Sequence, residues 1–284
     1  MIYEILSQLE QDLGFQIEKY KAVHGGDINQ AYQLSLYSGD SYFLKYNLSP
    51  DHEDIIRSEH EALILFEENK INAPKVVEYA SFEDYSYLLM EFIDGTNRWT
   101  PKASKAFVNV LKKLHSIKHD KFGFHSNNRI GTLLQPNKWY DNFADYFWDS
   151  RIAYQIDIAY SQSYLQASDK YRDIYRMLQD FPKYKPCLIH GDLWSGNHII
   201  SSSAESYLID PSISYGIPEI DLAMMQLFGG FPQEVLESYS EITGLKTGWK
   251  ERLSIYQLYY LLVHLNLFGS SYLGRVMNIL KKYS

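Results

Sequence analysis

The run His190-Gly191-Asp192-Leu193-Trp194-Ser195-Gly196-Asn197, followed by Tyr207-Leu208-Ile209-Asp210-Pro211, has residue types and a spacing suited to one kind of chemistry. An aspartate five residues ahead of an asparagine on a loop can orient a hydroxyl nucleophile while the asparagine binds a metal ion. A second aspartate, after a short strand, can hold Mg²⁺ against the phosphates of ATP. The apolar runs Cys187-Leu188-Ile189 and His198-Ile199-Ile200 predict short strands bracketing an exposed turn, so the carboxylates sit at strand ends, where ligands bind. Asp, Asn and Gly also favour plain turns. Turn chemistry accounts for His-Gly-Asp alone but not for the whole set, which makes Asp192, Asn197 and Asp210 candidates for phosphoryl transfer.

The N-terminal part supplies residues that could hold a nucleotide. His24-Gly25-Gly26-Asp27-Ile28-Asn29-Gln30 joins two predicted strands, and Gly25 and Gly26 would let the backbone approach ATP phosphates closely. It is neither a Walker loop nor a dinucleotide fingerprint, since no Gly-Lys-Ser/Thr follows and no strand-to-helix context surrounds it. Lys45 ends the apolar strand Tyr42-Phe43-Leu44-Lys45, where a lysine can reach α and β phosphates. Its natural partner is Glu59, which shares a helical face with Ile56, Leu63 and Phe66; Glu61 is the alternative if the register differs. In Leu88-Leu89-Met90-Glu91-Phe92-Ile93, backbone groups at Glu91 and Ile93 could bond the adenine edge.

Positioning these residues takes two lobes. Ile2, Ile5, Leu6, Leu9 and Leu13 predict a first helix ended by Gly14, followed by strands over 15–23, 28–37 and 41–46. Ser49-Pro50 opens a helix to about Asn69, and 85–92 is a further strand. Beyond Gly95 the pattern turns helical: Ala103, Ala106, Phe107, Val110, Leu111 and Leu114 form one stripe, and helical patterns recur over 140–181 and 220–283. Only the Asp192 loop and its flanking strands are expected to interrupt them. The expected fold is α+β, with a small antiparallel-sheet ATP-binding lobe (1–93) carrying one key helix. A larger helical lobe (94–284) carries the Asp192 loop and acceptor site, with a hinge near 92–99 and the site in the cleft.

Composition narrows the partners. The chain has 284 residues, 45% hydrophobic and 22% charged, and a formal net charge of −8, with no long Lys/Arg run. This argues against nucleic-acid and anionic-membrane partners. Met1-Ile2-Tyr3-Glu4 shows neither the basic start nor the apolar core expected of a secretion signal, and the longest apolar patch, 258–268, suits a buried helix. A single cysteine, Cys187, excludes an intramolecular disulfide and reads as a small packing residue in a reducing compartment. A cytoplasmic location is expected.

Together these residues resemble the fructosamine kinase (ketosamine 3-kinase) family, within the aminoglycoside phosphotransferase-like branch of the protein-kinase-like fold. The resemblance covers nearly the whole chain. It takes in Gly25-Gly26-Asp27-Ile28-Asn29, the tract Gly123 to Gly131 with Gln135, Asn137 and Trp139, and HGDLWSGN. It continues through Ile220-Asp221-Leu222-Ala223-Met224 and Leu227-Phe228-Gly229-Gly230-Phe231-Pro232, and ends in 258–269. The segments Leu193-Trp194-Ser195-Gly196 and Phe-Gly-Gly-Phe-Pro are particular to this family. Asp210-Pro211-Ser212-Ile213 and Gly216-Ile217-Pro218-Glu219 depart from its commoner Asp-Pro-Ala and Gly-Asp-Arg-Glu.

The resemblance implies ATP-dependent phosphorylation of a ketosamine, a small molecule or glycated protein amine, at its O3 hydroxyl. It implies Asp192 as base, Asn197 and Asp210 as Mg²⁺ ligands, and Lys45 with Glu59 on ATP phosphates under Gly25 and Gly26. His190 and Asp221 would support the loop, and Trp194 and His264 would line the sugar pocket. The residues alone leave open another acceptor, such as an aminoglycoside, choline or a small alcohol, and a non-catalytic nucleotide-binding module.

Overall fold

A computed structural model describes residues 1–23 and 29–283. The expected phosphate cover at Gly25 and Gly26 lies outside the described residues. The backbone divides into two compact units, Met1–Gly95 and Thr96–Ser284.

In the first unit, α1 (Ile2–Leu13) buries Ile5, Leu6 and Leu9 and ends at Gly14, whose left-handed φ of 65° needs no side chain. Strands β1 (Ile17–Ala22), β2 (Gln30–Leu36) and β3 (Ser41–Asn47) precede α2 (His52–Glu68), and β4 (Val76–Ser81) and β5 (Ser86–Glu91) follow it. All pairings are antiparallel, in the order β1-β2-β3-β5-β4. Leu34, Leu44, Tyr46, Tyr87 and Leu89 join the α1 residues in one core. Because successive strand residues alternate faces, putting Leu44 and Tyr46 in that core turns Lys45 to the opposite face. Helix α2 packs on β3, β4 and β5. It starts at His52, two residues later than the Ser49-Pro50 signal suggests, because the Ser49 carbonyl accepts from His52 N–H and closes a turn first.

The second unit begins with α3 (Pro101–Ser116), where Thr100 accepts from Ala103 N–H and Pro101 takes the first turn. Then come a hairpin of β6 (Asn128–Ile130) and β7 (Leu133–Gln135), and helices α4 (Phe143–Phe147), α5 (Tyr154–Ser161) and α6 (Arg172–Gln179). Between α4 and α5 the chain widens into a π-helical stretch, Trp148–Ala153. The stretch 140–181 thus holds two helical runs, 143–161 and 169–179, and the hairpin corrects the expectation that only the Asp192 loop interrupts the helices. Strands β8 (Cys187–Ile189), β9 (His198–Ile200), β10 (Ser206–Leu208) and β11 (Ser214–Gly216) pair as β8 with β11 and β9 with β10.

The chain closes with α7 (Pro218–Phe228), α8 (Gln233–Thr243), α9 (Trp249–Phe268) and α10 (Leu273–Tyr283). Helix α9 is apolar on nearly every side, and α5, α7 and α10 pack around it. Each of its buried leucines contributes about 1.5–3 kcal/mol of apolar burial. Among the described residues, no helix is long and apolar enough to cross a membrane.

Candidate active site

In the first unit, Lys45 Nζ donates to Glu59 Oε1 at 2.7 Å, with both side chains one-tenth exposed. Glu61 instead accepts from Arg57 at 2.8 Å, and Arg57 also reaches Asp54 at 2.7 Å. The register therefore selects Glu59. Beyond Lys45, Asn47 donates to Asn29 Oδ1 at 2.8 Å and accepts from Ser49 N–H at 2.7 Å, fixing the chain where β2 begins. Glu91 closes β5, exposed, with its N–H committed to the Lys75 carbonyl; Ile93 follows the strand, half-buried.

In the second unit, the loop His190–Asn197 is clasped to the segment Ile209–Ser212. Ser212 N–H donates to the His190 carbonyl at 2.8 Å, and Ile209 N–H donates to the Asn197 carbonyl at 3.1 Å. His190 Nε2–H donates to the Ile209 carbonyl at 2.9 Å, and its Nδ1 accepts from Asp192 N–H at 3.3 Å. Burial drops the His190 pKa to about 4, which keeps the ring neutral, as this pair of bonds requires. Gly191 has φ +81°, and a methyl there would lie 2.0 Å from the Ser212 carbonyl oxygen. Only glycine meets both demands.

Asn197 Nδ2 donates to Asp192 Oδ2 at 3.1 Å and to the Asp192 carbonyl at 2.8 Å, which leaves Asn197 Oδ1 as its acceptor. Burial pushes the Asp192 carboxyl up to about 7; the Asn197 amide opposes the rise and the charge of Asp221 adds to it. A base poised near neutrality suits proton abstraction from an alcohol. Asp210 holds a left-handed φ of 53°, uncommon for a residue with a side chain and a mark of functional sites. Its carbonyl lies 3.5 Å from Asn197 Nδ2.

Asp221, from the first turn of α7, is fully buried and accepts from His190 N–H at 2.8 Å and Gly191 N–H at 2.9 Å. Burial alone would raise its pKa. The His115 hydrogen bond, the nearby imidazoles and the Gly191 amide outweigh that and hold it below the usual carboxylate range. His115 donates from Nε2 at 3.0 Å, and its Nδ1 lies 2.6 Å from the Tyr239 hydroxyl. His115 was not among the sequence candidates; its one signal is a histidine closing the apolar stripe of α3 after Leu114. Tyr260 O–H donates to the Gly191 carbonyl at 2.9 Å. The departure at Ile217-Pro218, before the shared Glu219, also gains a physical basis. Pro218 opens α7, and buried Glu219 accepts from Arg252 at 2.6 and 2.9 Å and from Tyr184 O–H.

Trp194 is 39% exposed at the loop tip, and its ring covers the α-carbon of Gly196, where a methyl would sit 2.2 Å away. His264 is half-buried in a cluster with Phe228, Phe268 and Tyr272, and its Nδ1–H donates to the Tyr260 carbonyl at 2.8 Å. Cys187 is buried and free, its thiol pushed up to about 12 by burial, so it is no nucleophile.

Residues 1–284 match the family model for fructosamine kinase. A probable ketoamine kinase of Enterococcus faecium is 37% identical over 269 residues, 92% of this chain and 94% of that protein. A solved structure from Haemophilus somnus, bearing a fructosamine-3-kinase name, superposes with a TM-score of 0.88 at 26% identity, covering 98% of this chain and 96% of its own. The aminoglycoside phosphotransferase APH(4)-Ia shares the protein-kinase-like fold, with a TM-score of 0.65 at 16% identity over 97% of both chains. Matched over its whole length and carrying the motif loop clasped as described, the chain belongs to the fructosamine kinase family.

Proposed function

We propose that this protein transfers the γ-phosphoryl group of ATP to the O3 hydroxyl of a ketosamine of the ribulosamine or fructosamine type. The observation that carries this is the half-buried Asp192 carboxylate, bonded to Asn197 in a loop clasped against Asp210. In this reading Asp192 orients the sugar hydroxyl and takes its proton as the oxygen attacks phosphorus. His190 and Asp221 hold the loop so that the carboxylate needs no reorganisation at that moment. Lys45, kept in place by Glu59, binds the ATP phosphates. The backbone at Glu91 and Ile93 meets the adenine. Trp194 and His264 border the acceptor.

The donor set fits Mg²⁺. Asn197 Oδ1 and the Asp210 carboxylate are both oxygen ligands, and magnesium commonly takes one or two protein oxygens and fills its shell with water and phosphate. Bound there, it would neutralise charge on the phosphates. Phosphoryl transfer needs positioning and charge neutralisation and no covalent nucleophile, so this set suffices. Deglycation of small molecules or protein amines in the cytoplasm is the role this activity would serve.

Family membership favours a ketosamine over the aminoglycosides and choline of more distant fold relatives. The test is ATP consumption by the purified protein across ribulosamines, erythrulosamines, fructosamines, aminoglycosides and choline. Turnover should be confined to the ketosamines. Phosphate on C3 sits on the carbon next to the C2 carbonyl, so enolisation toward C1 gives a 1,2-enaminol that eliminates inorganic phosphate from C3, and hydrolysis of the resulting C1 imine by water frees the amine. Release of inorganic phosphate and free amine after phosphorylation is therefore expected. A long-lived product with phosphate mapped by NMR to another hydroxyl would defeat the O3 assignment, and turnover of aminoglycosides alone would defeat the ketosamine reading.

A further inference from the structure

Helix α9 carries consecutive tyrosines, Tyr259 and Tyr260, both fully buried, with ring centres 5.0 Å apart. Neighbouring helical residues diverge by about 100°. The two phenols therefore leave the helix in different directions, yet both chains of bonds end at the same junction. Tyr260 O–H donates to the Gly191 carbonyl at 2.9 Å. Tyr259 O–H donates to Gln135 Oε1 at 2.6 Å, and Gln135 Nε2–H donates onward to the Ser212 carbonyl at 3.2 Å and to Asn128 Oδ1 at 2.8 Å. Asn128 in turn donates to the Ile213 carbonyl at 2.7 Å.

Gly191 immediately precedes Asp192, and Ser212 stands two residues after Asp210. These are the two sides of one contact: the Gly191 α-carbon packs against the Ser212 carbonyl oxygen, and Ser212 N–H bonds the His190 carbonyl. Burial pushes both phenols above the usual tyrosine range, so each remains a donor.

We propose that Tyr259 and Tyr260 are positioning residues that together set the separation of Asp192 from Asp210. Tyr260 holds the Asp192 side directly, and Tyr259 holds the Asp210 side through Gln135. This rests on the roles proposed above for Asp192 and Asp210. Two adjacent residues of one rigid helix thus fix the base relative to a metal ligand, although the loops bearing them are eighteen residues apart in sequence. A phosphoryl transfer that relies on in-line placement is sensitive to this distance, and a shift of about 1 Å can cost ~10²-fold in rate.

The test compares Tyr260→Phe, Tyr259→Phe and Gln135→Met with the wild-type chain. The measurements are kcat, KM for ATP and for the acceptor, the Mg²⁺ concentration giving half-maximal rate, and thermal midpoint. Tyr260→Phe is expected to lower kcat by ~10- to 100-fold with both KM values nearly unchanged. Tyr259→Phe and Gln135→Met should lower kcat and raise the Mg²⁺ requirement. Their double variant should be no worse than either single, because they interrupt one chain of bonds.

Wild-type kcat in all three variants would overturn the proposal. So would losses that track the fall in thermal midpoint and vanish when assayed well below it, since that pattern belongs to packing alone. Should Tyr260→Phe fail to fold, the Tyr259 and Gln135 variants decide, and wild-type kcat and Mg²⁺ requirement in both would sink the idea. All comparisons use whichever acceptor the wild-type protein turns over. Failure on every ketosamine would remove the proposed substrate while leaving this test intact.

Discussion

Lys45 and Glu59 meet at 2.7 Å across β3 and α2, each from an otherwise apolar setting. Strand alternation delivers the ammonium to the face opposite the α1 core. Helical spacing delivers the carboxylate from the stripe of Ile56, Leu63 and Phe66.

Removing either partner leaves the other charge buried, which costs about 3–5 kcal/mol in comparable sites. We expect Lys45→Ala and Glu59→Ala each to raise KM for ATP and lower kcat, and the double variant to lose less than the product of the two. Equilibrium denaturation and steady-state kinetics on all four proteins give the coupling energy. Fully multiplicative losses would show that the pair does not act as a unit, whereas Glu61→Ala, which breaks a part-buried bond to Arg57 away from Lys45, should leave kinetics unchanged.

Asp192→Asn should lower kcat by ~10²- to 10⁴-fold, the usual worth of positioned base assistance, with ATP affinity nearly intact. The amide retains shape and loses only the proton acceptor. Calorimetric titration with ATP separates binding from turnover, and near-normal turnover would take Asp192 out of its role.

Gly191→Ala confronts both a φ of +81° and a carbonyl oxygen 2.0 Å from the new methyl. Left-handed backbone alone costs about 1–2 kcal/mol, and relieving the clash must separate Gly191 from Ser212. We expect a lower thermal midpoint and a kcat loss exceeding that of Tyr260→Phe. Gly39→Ala serves as the control, because its φ is +94° but nothing lies within 4 Å of the added methyl. Equal kinetic losses in the two variants would rule out the Gly191 junction as the cause.

Two buried imidazoles contribute to acid sensitivity. Burial lowers the pKa values of His190 and His198 to about 4 each. An unfolded chain, with histidines near 6.5, binds more protons between those values. Stability therefore rises with pH across this window and is lost as pH falls from about 6.5 to about 4, by about 3 kcal/mol per histidine. His198, bonded to Ser206 and stacked on Trp99, can be replaced by glutamine to remove one of the two titrations. Urea midpoints from pH 7 to 4.5 should then change less steeply, and an unaltered slope would assign the acid sensitivity elsewhere.

Legibility in the sequence followed the distance between partners. Asp192, Asn197 and Asp210 lie within nineteen residues, so their spacing alone marks the loop. Lys45 and Glu59 could be paired because each sits on a periodic element whose faces can be counted. The β6–β7 hairpin escaped because strands of three residues are too short to display alternation. The π-helical stretch escaped because a single widened turn barely alters a helical pattern. His115 meets Asp221 across 106 residues and Tyr260 meets Gly191 across 69, separations that no local periodicity encodes.

Ser195 and Gly230 show how far that coupling reaches. A methyl on Gly230 would stand 2.4 Å from Ser195 Oγ, while the Gly230 carbonyl accepts from Trp99 Nε1–H at 3.1 Å and so cannot easily retreat. The two positions therefore share a single allowance of volume. Ser195 Cβ stands 2.5 Å from the same methyl and Gly230 has a left-handed φ of +87°, so even alanine at 195 would not admit a side chain at 230, and a chain with any side chain at 195 would have to keep glycine at 230. The side chain of this pair therefore belongs at 195 and the glycine at 230.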